Sequence, residues 1–284
     1  MNIKARESLR KRAACAAVSA LLLPAAFRAE AGELAAVISS PSAPYTQALS
    51  GFKAALPLPY ESYDASKPGF APPEDLRFVA AFGVRAAAVD YPPGTRLVYA
   101  LAPVIARKPG WHEISMLPAP EKAVDAYQAL QPSLKRLAVF WSKYPDERYI
   151  GELVKAGAPR GITIIPVKIK SPDFFPERLR SLMEKIDAFW LMPDPALINP
   201  GSLMVLANFS CANAIPFYAP TSALVQDGAS ASFSADFEAA GAAAARVISN
   251  IYHGEDQPAV TYPGNAVMRV NTELADKCRW PFKK

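Results

Sequence analysis

The sequence is poor in residues that commonly do chemistry. It has only two histidines, His112 and His253, and three cysteines in 284 residues. No HExxH, CxxC, GxSxG, Walker A or GxGxxG spacing occurs, which removes the usual signatures of zinc proteases, redox dithiols, serine hydrolases, P-loop enzymes and dinucleotide binders. The histidines fall in different halves, and His253 follows a helical pattern whose last turn favours a cation, so both read as structural or surface residues. Cys211 and Cys278 fit no metal spacing and read as buried thiols or one structural bridge. Paired carboxylates need no fixed spacing, yet no partner can be named for the best-placed one, Asp194. No catalytic residue, metal site or cofactor is expected.

Long hydrophobic runs are also missing. The longest apolar stretch, Ala13 to Phe27, is interrupted by Pro24 and is shorter than the roughly 20 residues that a membrane-spanning helix needs. Lys4, Arg6, Arg10, Lys11 and Arg12 precede it and Ala29-Glu30-Ala31 follows it, the pattern of a secretory signal cleaved before Gly32. Cys15 lies too near the start of that stretch to mark a lipidated terminus. A soluble periplasmic protein is therefore expected, in a compartment that permits a disulfide. The net charge of +5 resides mostly in this segment: without its six basic and two acidic residues, 25 cations face 24 anions. So even a balance leaves no electrostatic footprint for nucleic acid.

What remains is an alternation of short β-rich apolar runs with helical patterns, the mark of parallel sheets with crossover helices. Strands are expected at Leu34 to Ile38, Tyr60 to Tyr63, Phe78 to Phe82 and Arg96 to Leu101, with helices at Tyr45 to Leu56 and Val84 to Asp90. A second series follows Pro132: strands at Leu137 to Trp141, Thr163 to Ile169, Ala188 to Met192 and Pro216 to Ala219, and helices near Asp146 to Ala158, Phe175 to Lys185 and Ser202 to Asn213. A helix at Glu121 to Leu130 reads as the connection. An Ala-rich helix, Asp236 to Tyr252, and a strand, Ala266 to Asn271, close the chain. The fold class is thus α/β, with two doubly wound parallel-sheet lobes joined by a hinge. The first lobe is expected over residues 32–118 and about 222–255, the second over 119–221 and about 256–284. The link from Asp64 to Arg77 holds four Pro or Gly residues and should be an irregular crossover.

In such sheets, ligands gather where strands end and helix N-termini present free N–H groups. The run DAFWLMPDP, Asp187 to Pro195, is the sharpest example, an apolar strand stopping at Asp194 before a proline. The other strand ends supply Ser39, Ser40 and Tyr45, then Gly83 and Val84, then Trp141, Ser142 and Tyr144, then Tyr218, Thr221 and Ser222. Hydroxyls and N–H groups can hold a carboxylate, and the aromatic rings can enclose an apolar body. Trp190, in mid-strand, reads as core.

PYTQALSGF (Pro44 to Phe52), QPSLKRLAVFW (Gln131 to Trp141), DAFWLMPDP, SADFEAAGAAAA (Ser234 to Ala245) and VNTELA (Val270 to Ala275) occur in an order that resembles the type I periplasmic substrate-binding proteins of ABC importers, the group with tryptophan- and tyrosine-binding members. The resemblance implies a monomeric two-lobe receptor that closes on a small solute and is read by an inner-membrane permease. It places Ser39, Ser40 and Tyr45 in the cleft from one lobe and Asp194 from the other. Members usually carry a hydroxyl residue after the glycine that ends the third strand and Asp-Pro after the fourth; here Gly83-Val84 and Ala102-Pro103 stand there, and Lys277-Cys278 replaces a Leu-Gly. A solute less polar than an amino acid, aromatic or apolar, is expected. The alternative is an accessory or sensory protein of the same fold with a degenerate pocket and a different membrane partner.

Overall fold

The computed structural model describes residues 32–283, so the expected signal segment lies outside the described residues. Two six-stranded sheets are present. The first runs in the order β2 (Glu61–Asp64), β1 (Leu34–Ile38), β3 (Phe78–Phe82), β4 (Arg96–Ala100), β5 (Trp111–Ile114) and β11 (Val260–Thr261), all parallel. The second runs β7 (Thr163–Lys168), β6 (Arg136–Trp141), β8 (Ala188–Leu191), β9 (Phe217–Ala219), β10 (Ala231–Ala235) and β12 (Ala266–Val270), parallel except for β12. Strands β1 and β8 are buried at every position, because helices cover both faces of a parallel sheet and leave no solvent-facing side to alternate with.

The helices are α1 (Ala43–Ala55), α2 (Val84–Ala87), α3 (Pro120–Leu130), α4 (Glu147–Gly157), α5 (Phe175–Leu182), α6 (Pro200–Asn213), α7 (Ala223–Gln226), α8 (Phe237–Tyr252) and α9 (Thr272–Lys277). Helix α6 starts two residues before the expected Ser202, since Asn199 accepts from the Ser202 N–H while the Ser202 hydroxyl accepts from the Asn199 N–H, a reciprocal cap. Helix α2 is one turn, shorter than the expected Val84 to Asp90; the Tyr91 hydroxyl takes the Ala86 carbonyl at 2.8 Å. No helix or strand lies between β2 and β3.

Strands β5, β10 and β11 have no counterpart among the expected elements, and they correct the lobe boundaries. Residues 222–235 are expected in the first lobe, but β10 pairs with β9 and β12 in the second sheet. Residues from about 256 onward are expected in the second, but β11 pairs with β5 in the first. The small residues of ASFSA and the two-residue length of β11 carry too little apolar signal to be seen. The chain therefore crosses between the sheets after β5, after β10 and after β11. Helix α3 is not the crossing itself: Ala123, Val124 and Tyr127 are buried in the second lobe's core.

Helix α8 returns to the first lobe and packs on α1 through glycine. A Cβ on Gly241 would overlap the Ala48 carbonyl, and one on Gly51 would overlap the Glu238 carbonyl, so both backbones touch. Cys211 at the end of α6 is bonded to Cys278 after α9, Cα atoms 4.5 Å apart. Closing a loop of that span constrains the unfolded chain by about 4 kcal/mol in the chain-entropy model. His112 Nδ1 bonds the Pro258 carbonyl at 3.1 Å and so ties β5 to the segment before β11, whereas His253 Nδ1 bonds the Ser249 carbonyl at 2.7 Å and caps the end of its own helix. No described helix is long and apolar enough to cross a membrane.

The helix crossing yields a paired expectation. Gly241→Ala should lower the unfolding free energy by about 2 kcal/mol or more through overpacking. Gly151→Ala, on α4 with open space around it, should raise it by roughly 0.5 to 1 kcal/mol. Urea melts of both variants check the signs; a neutral Gly241→Ala would mean that the two helices are not in backbone contact.

Candidate functional site

The C-terminal ends of β4 and β5, the segment after β6, the start of α4, and Val260 and Tyr262 enclose a cavity of about 460 Å³ between the lobes. Each wall has a structural origin. From the first lobe, Tyr99 on β4 is buried, and Glu113 projects from the neighbouring strand β5. From the second, Tyr144 and Tyr149 are buried beside it. Tyr262 comes from the third crossing, and its hydroxyl donates to Glu152 at 3.0 Å.

Glu113 sits at the junction. Its carboxylate accepts from the Tyr144 hydroxyl at 3.2 Å and lies 3.4 Å from that of Tyr99, so one carboxylate links the two lobes. Burial pushes the Glu113 carboxyl above its ordinary range, an effect that the Tyr144 hydroxyl and the Arg107 cation oppose. Burial, reinforced by the Glu113 charge, raises the Tyr144 and Tyr99 hydroxyls well above their ordinary range, which keeps both protonated as donors. The Met116 N–H donates to the Tyr144 oxygen at 3.4 Å, and the Tyr149 hydroxyl donates to the Pro118 carbonyl at 2.9 Å. The first crossing is therefore held by tyrosines of the second lobe.

Asp194 builds this wall from behind. One carboxylate oxygen accepts from the backbone N–H groups of Ser142, Lys143 and Tyr144, and the other accepts from Ala196. Its exposure is 0%. The expectation that Asp194 faces a ligand is corrected: at the end of β8 it lies beneath the turn that follows β6, where consecutive N–H groups converge on it and saturate it. Ser142 contributes its N–H to that turn and is itself buried. The peptide bond between Tyr144 and Pro145 is cis.

Of the twelve residues expected from strand ends, Tyr144 alone lines this cavity. Tyr218 is corrected to core: it is fully buried, stacked on Tyr127 with centroids 4.1 Å apart, and donates to Gln131 at 2.6 Å. Trp141 is likewise buried in the second lobe's core, with the Lys168 ammonium 4.4 Å from its ring centroid. Ser39, Tyr45 and Gly83 do come together, at another part of the first lobe's edge. The Ser39 hydroxyl accepts from the Ala86 N–H at 2.9 Å, and Gly83, at φ 97°, admits both the Ser39 hydroxyl and the Tyr45 ring where a Cβ would stand. Ser40 bonds Ser42 at 3.1 Å and Val84 is exposed. Thr221 borders a second, much smaller inter-lobe space of about 20 Å³ with Leu101, Ser115 and Phe237; Ser222 is exposed.

The residues missed are Tyr99, Glu113, Arg107, Tyr149 and Tyr262. Glu113 had no readable signal: Trp111 to Ile114 alternates half-buried with buried positions in the fold, but WHEI sets its two polar residues side by side after Lys-Pro-Gly and lacks the apolar alternation of a strand. Tyr99 lies within its strand rather than after it, and in sequence it is indistinguishable from a core position.

If Asp194 organises the turn, Asp194→Ala takes the acceptor from four backbone N–H groups, those of Ser142 and Tyr144 buried, and should cost roughly 3 kcal/mol or more of stability. Chemical denaturation measures it. A variant of unchanged stability that loses only ligand binding would show the carboxylate facing the cleft.

A family model described as ABC transporter substrate binding protein matches residues 114–269, a little over half of the chain. No curated protein matches. Among solved structures, an ABC domain in complex with L-Trp from Streptococcus pneumonia is 16% identical, with TM-score 0.59, covering 88% of this chain and 95% of its own. A ligand-free, open substrate binding protein with adhesive properties from Clostridium difficile is 14% identical, with TM-score 0.60 and coverage of 87% and 94%. A conserved domain protein from Vibrio cholerae is 15% identical, with TM-score 0.59 and coverage of 89% and 96%. At these identities the likeness carries the fold.

Proposed function

The chain belongs to the ABC transporter substrate binding protein family, and from that premise we propose that it captures a small organic solute between its lobes in the periplasm and delivers it to an inner-membrane ABC permease. The observation that carries this reading is the cavity of about 460 Å³ whose walls come from both lobes, within the size range of small-molecule sites. Buried tyrosines supply apolar surface with polar tips, and Glu113 with its two hydroxyl neighbours supplies a directional polar contact. A solute that touches both walls is bound more tightly when the lobes approach, which is how a hinge couples occupancy to shape. The protein acts as a monomer, and binding makes and breaks no bonds.

The test is a thermal-shift screen of the purified protein against amino acids, aromatic acids, amines and nucleosides. A binding solute raises the melting temperature with the logarithm of its excess over Kd. Ala106 is exposed and lines the cavity, so Ala106→Trp should fill space that a solute needs and weaken the hit by about tenfold or more. It should leave the melting point of the unliganded protein nearly unchanged. A hit that Ala106→Trp does not weaken would place the solute elsewhere.

A further inference from the structure

Charge is unevenly distributed around the cavity. Arg107, Lys143, Asp146 and Arg148 line it but are exposed, three cations and one anion at its rim. Exposed charges interact weakly, because water and salt screen them. On the inner wall, among the buried rings of Tyr99, Tyr144 and Tyr149, the one charged group lining the cavity is Glu113, half-buried. Its two tyrosine neighbours donate to it, and a carboxylate has about four acceptor positions, so capacity remains for a further donor. A partly buried carboxylate with an open acceptor position favours a positive nitrogen that donates to it, through charge and hydrogen bond together. An anion would meet the opposite: the Glu113 carboxylate in the least screened part of the site.

Resting on the reading of the cavity as a solute site, we infer that its ligand is an organic ammonium ion, with the nitrogen docked on Glu113 and the body against Tyr262, Ile105 and Val260. Glu113 is then the specificity-determining residue. Because it also accepts from Tyr144 of the other lobe, the ligand nitrogen enters at the contact that joins the lobes.

Matched probes test this by calorimetry on the purified protein: tyramine, tryptamine and choline against 3-(4-hydroxyphenyl)propionate, indole-3-acetate and 3,3-dimethylbutanol, which keep the bodies but lack the cation. At least one amine should bind and its counterpart should not. Glu113→Gln, which keeps the shape and an acceptor for the tyrosines, should weaken that amine by about tenfold or more. Binding of the acids or the alcohol in place of the amines would overturn the ligand class while leaving solute capture intact, as would a failure of all six beside a different hit in the broader screen. An amine bound equally well by Glu113→Gln would overturn the role of Glu113.

Discussion

The carboxylate of Asp194 fixes the turn on which one wall of the cleft depends. It sits at the end of a fully buried strand and takes the N–H groups of three successive residues, 142 to 144, with one oxygen. A turn with three adjacent amides pointing inward needs an anion or water to satisfy them, and buried amides without partners are costly. Asp194 supplies that anion from a neighbouring strand, so the turn is held by the sheet rather than by its own short-range bonds. The consequence reaches across the cleft. Tyr144 is carried by this turn, and its hydroxyl meets Glu113 of the other lobe.

Three crossings connect the lobes, and the bonds that restrain the first are few and specific. Tyr149 holds the Pro118 carbonyl, the Met116 N–H holds Tyr144, and Tyr144 holds Glu113. All three involve tyrosines beside the first turn of α4, whose N-terminus is capped by Asp146 accepting from the Tyr149 N–H. A cap, a turn and a crossing are thus mechanically one unit. Within each lobe, by contrast, backbone contact is extensive: α1 and α8 touch at two glycines, and the disulfide ties α6 to the C-terminal tail. The stiff parts are the lobes and the sparse contacts lie between them, which is where elements of low local stability are found in proteins generally.

Much of this architecture was legible from periodicity, because fully buried parallel strands are written as apolar runs and their helices as amphipathic ones. Strands β1 and β3 fall at the expected residues, and β4, β6 and β8 within one residue of them. The lobe boundaries were not legible. They depend on β10 and β11, whose sequences, ASFSA and VT, are small or short and take their identity from the strands they pair with. The site was legible only in part, for a related reason. Strand ends carry Tyr144, which lines the cavity, but they also carry Asp194 and Tyr218, whose polar atoms turn inward to backbone amides and to Gln131. Sequence shows that a polar group stands at a strand end; which partner satisfies it is decided by packing.

Glu113 makes the same point from the other direction. The place after β4 where the family resemblance leads one to expect an acidic residue is Ala102 here, and Ala102 lines the cavity with a methyl group. Judged by that position alone, the cleft has lost its negative charge. The adjacent strand restores one, because side chains on neighbouring parallel strands stand side by side along the sheet: Tyr99 on β4 is in register with Glu113 on β5. A site of this kind is defined by the surface that two strands present together, so its charge can move sideways by one strand while the cavity keeps its polarity. Glu113 then gains what a residue after β4 would not have by its position, a direct bond to the opposite lobe through Tyr144. Recognition and the contact that joins the lobes therefore converge on one carboxylate.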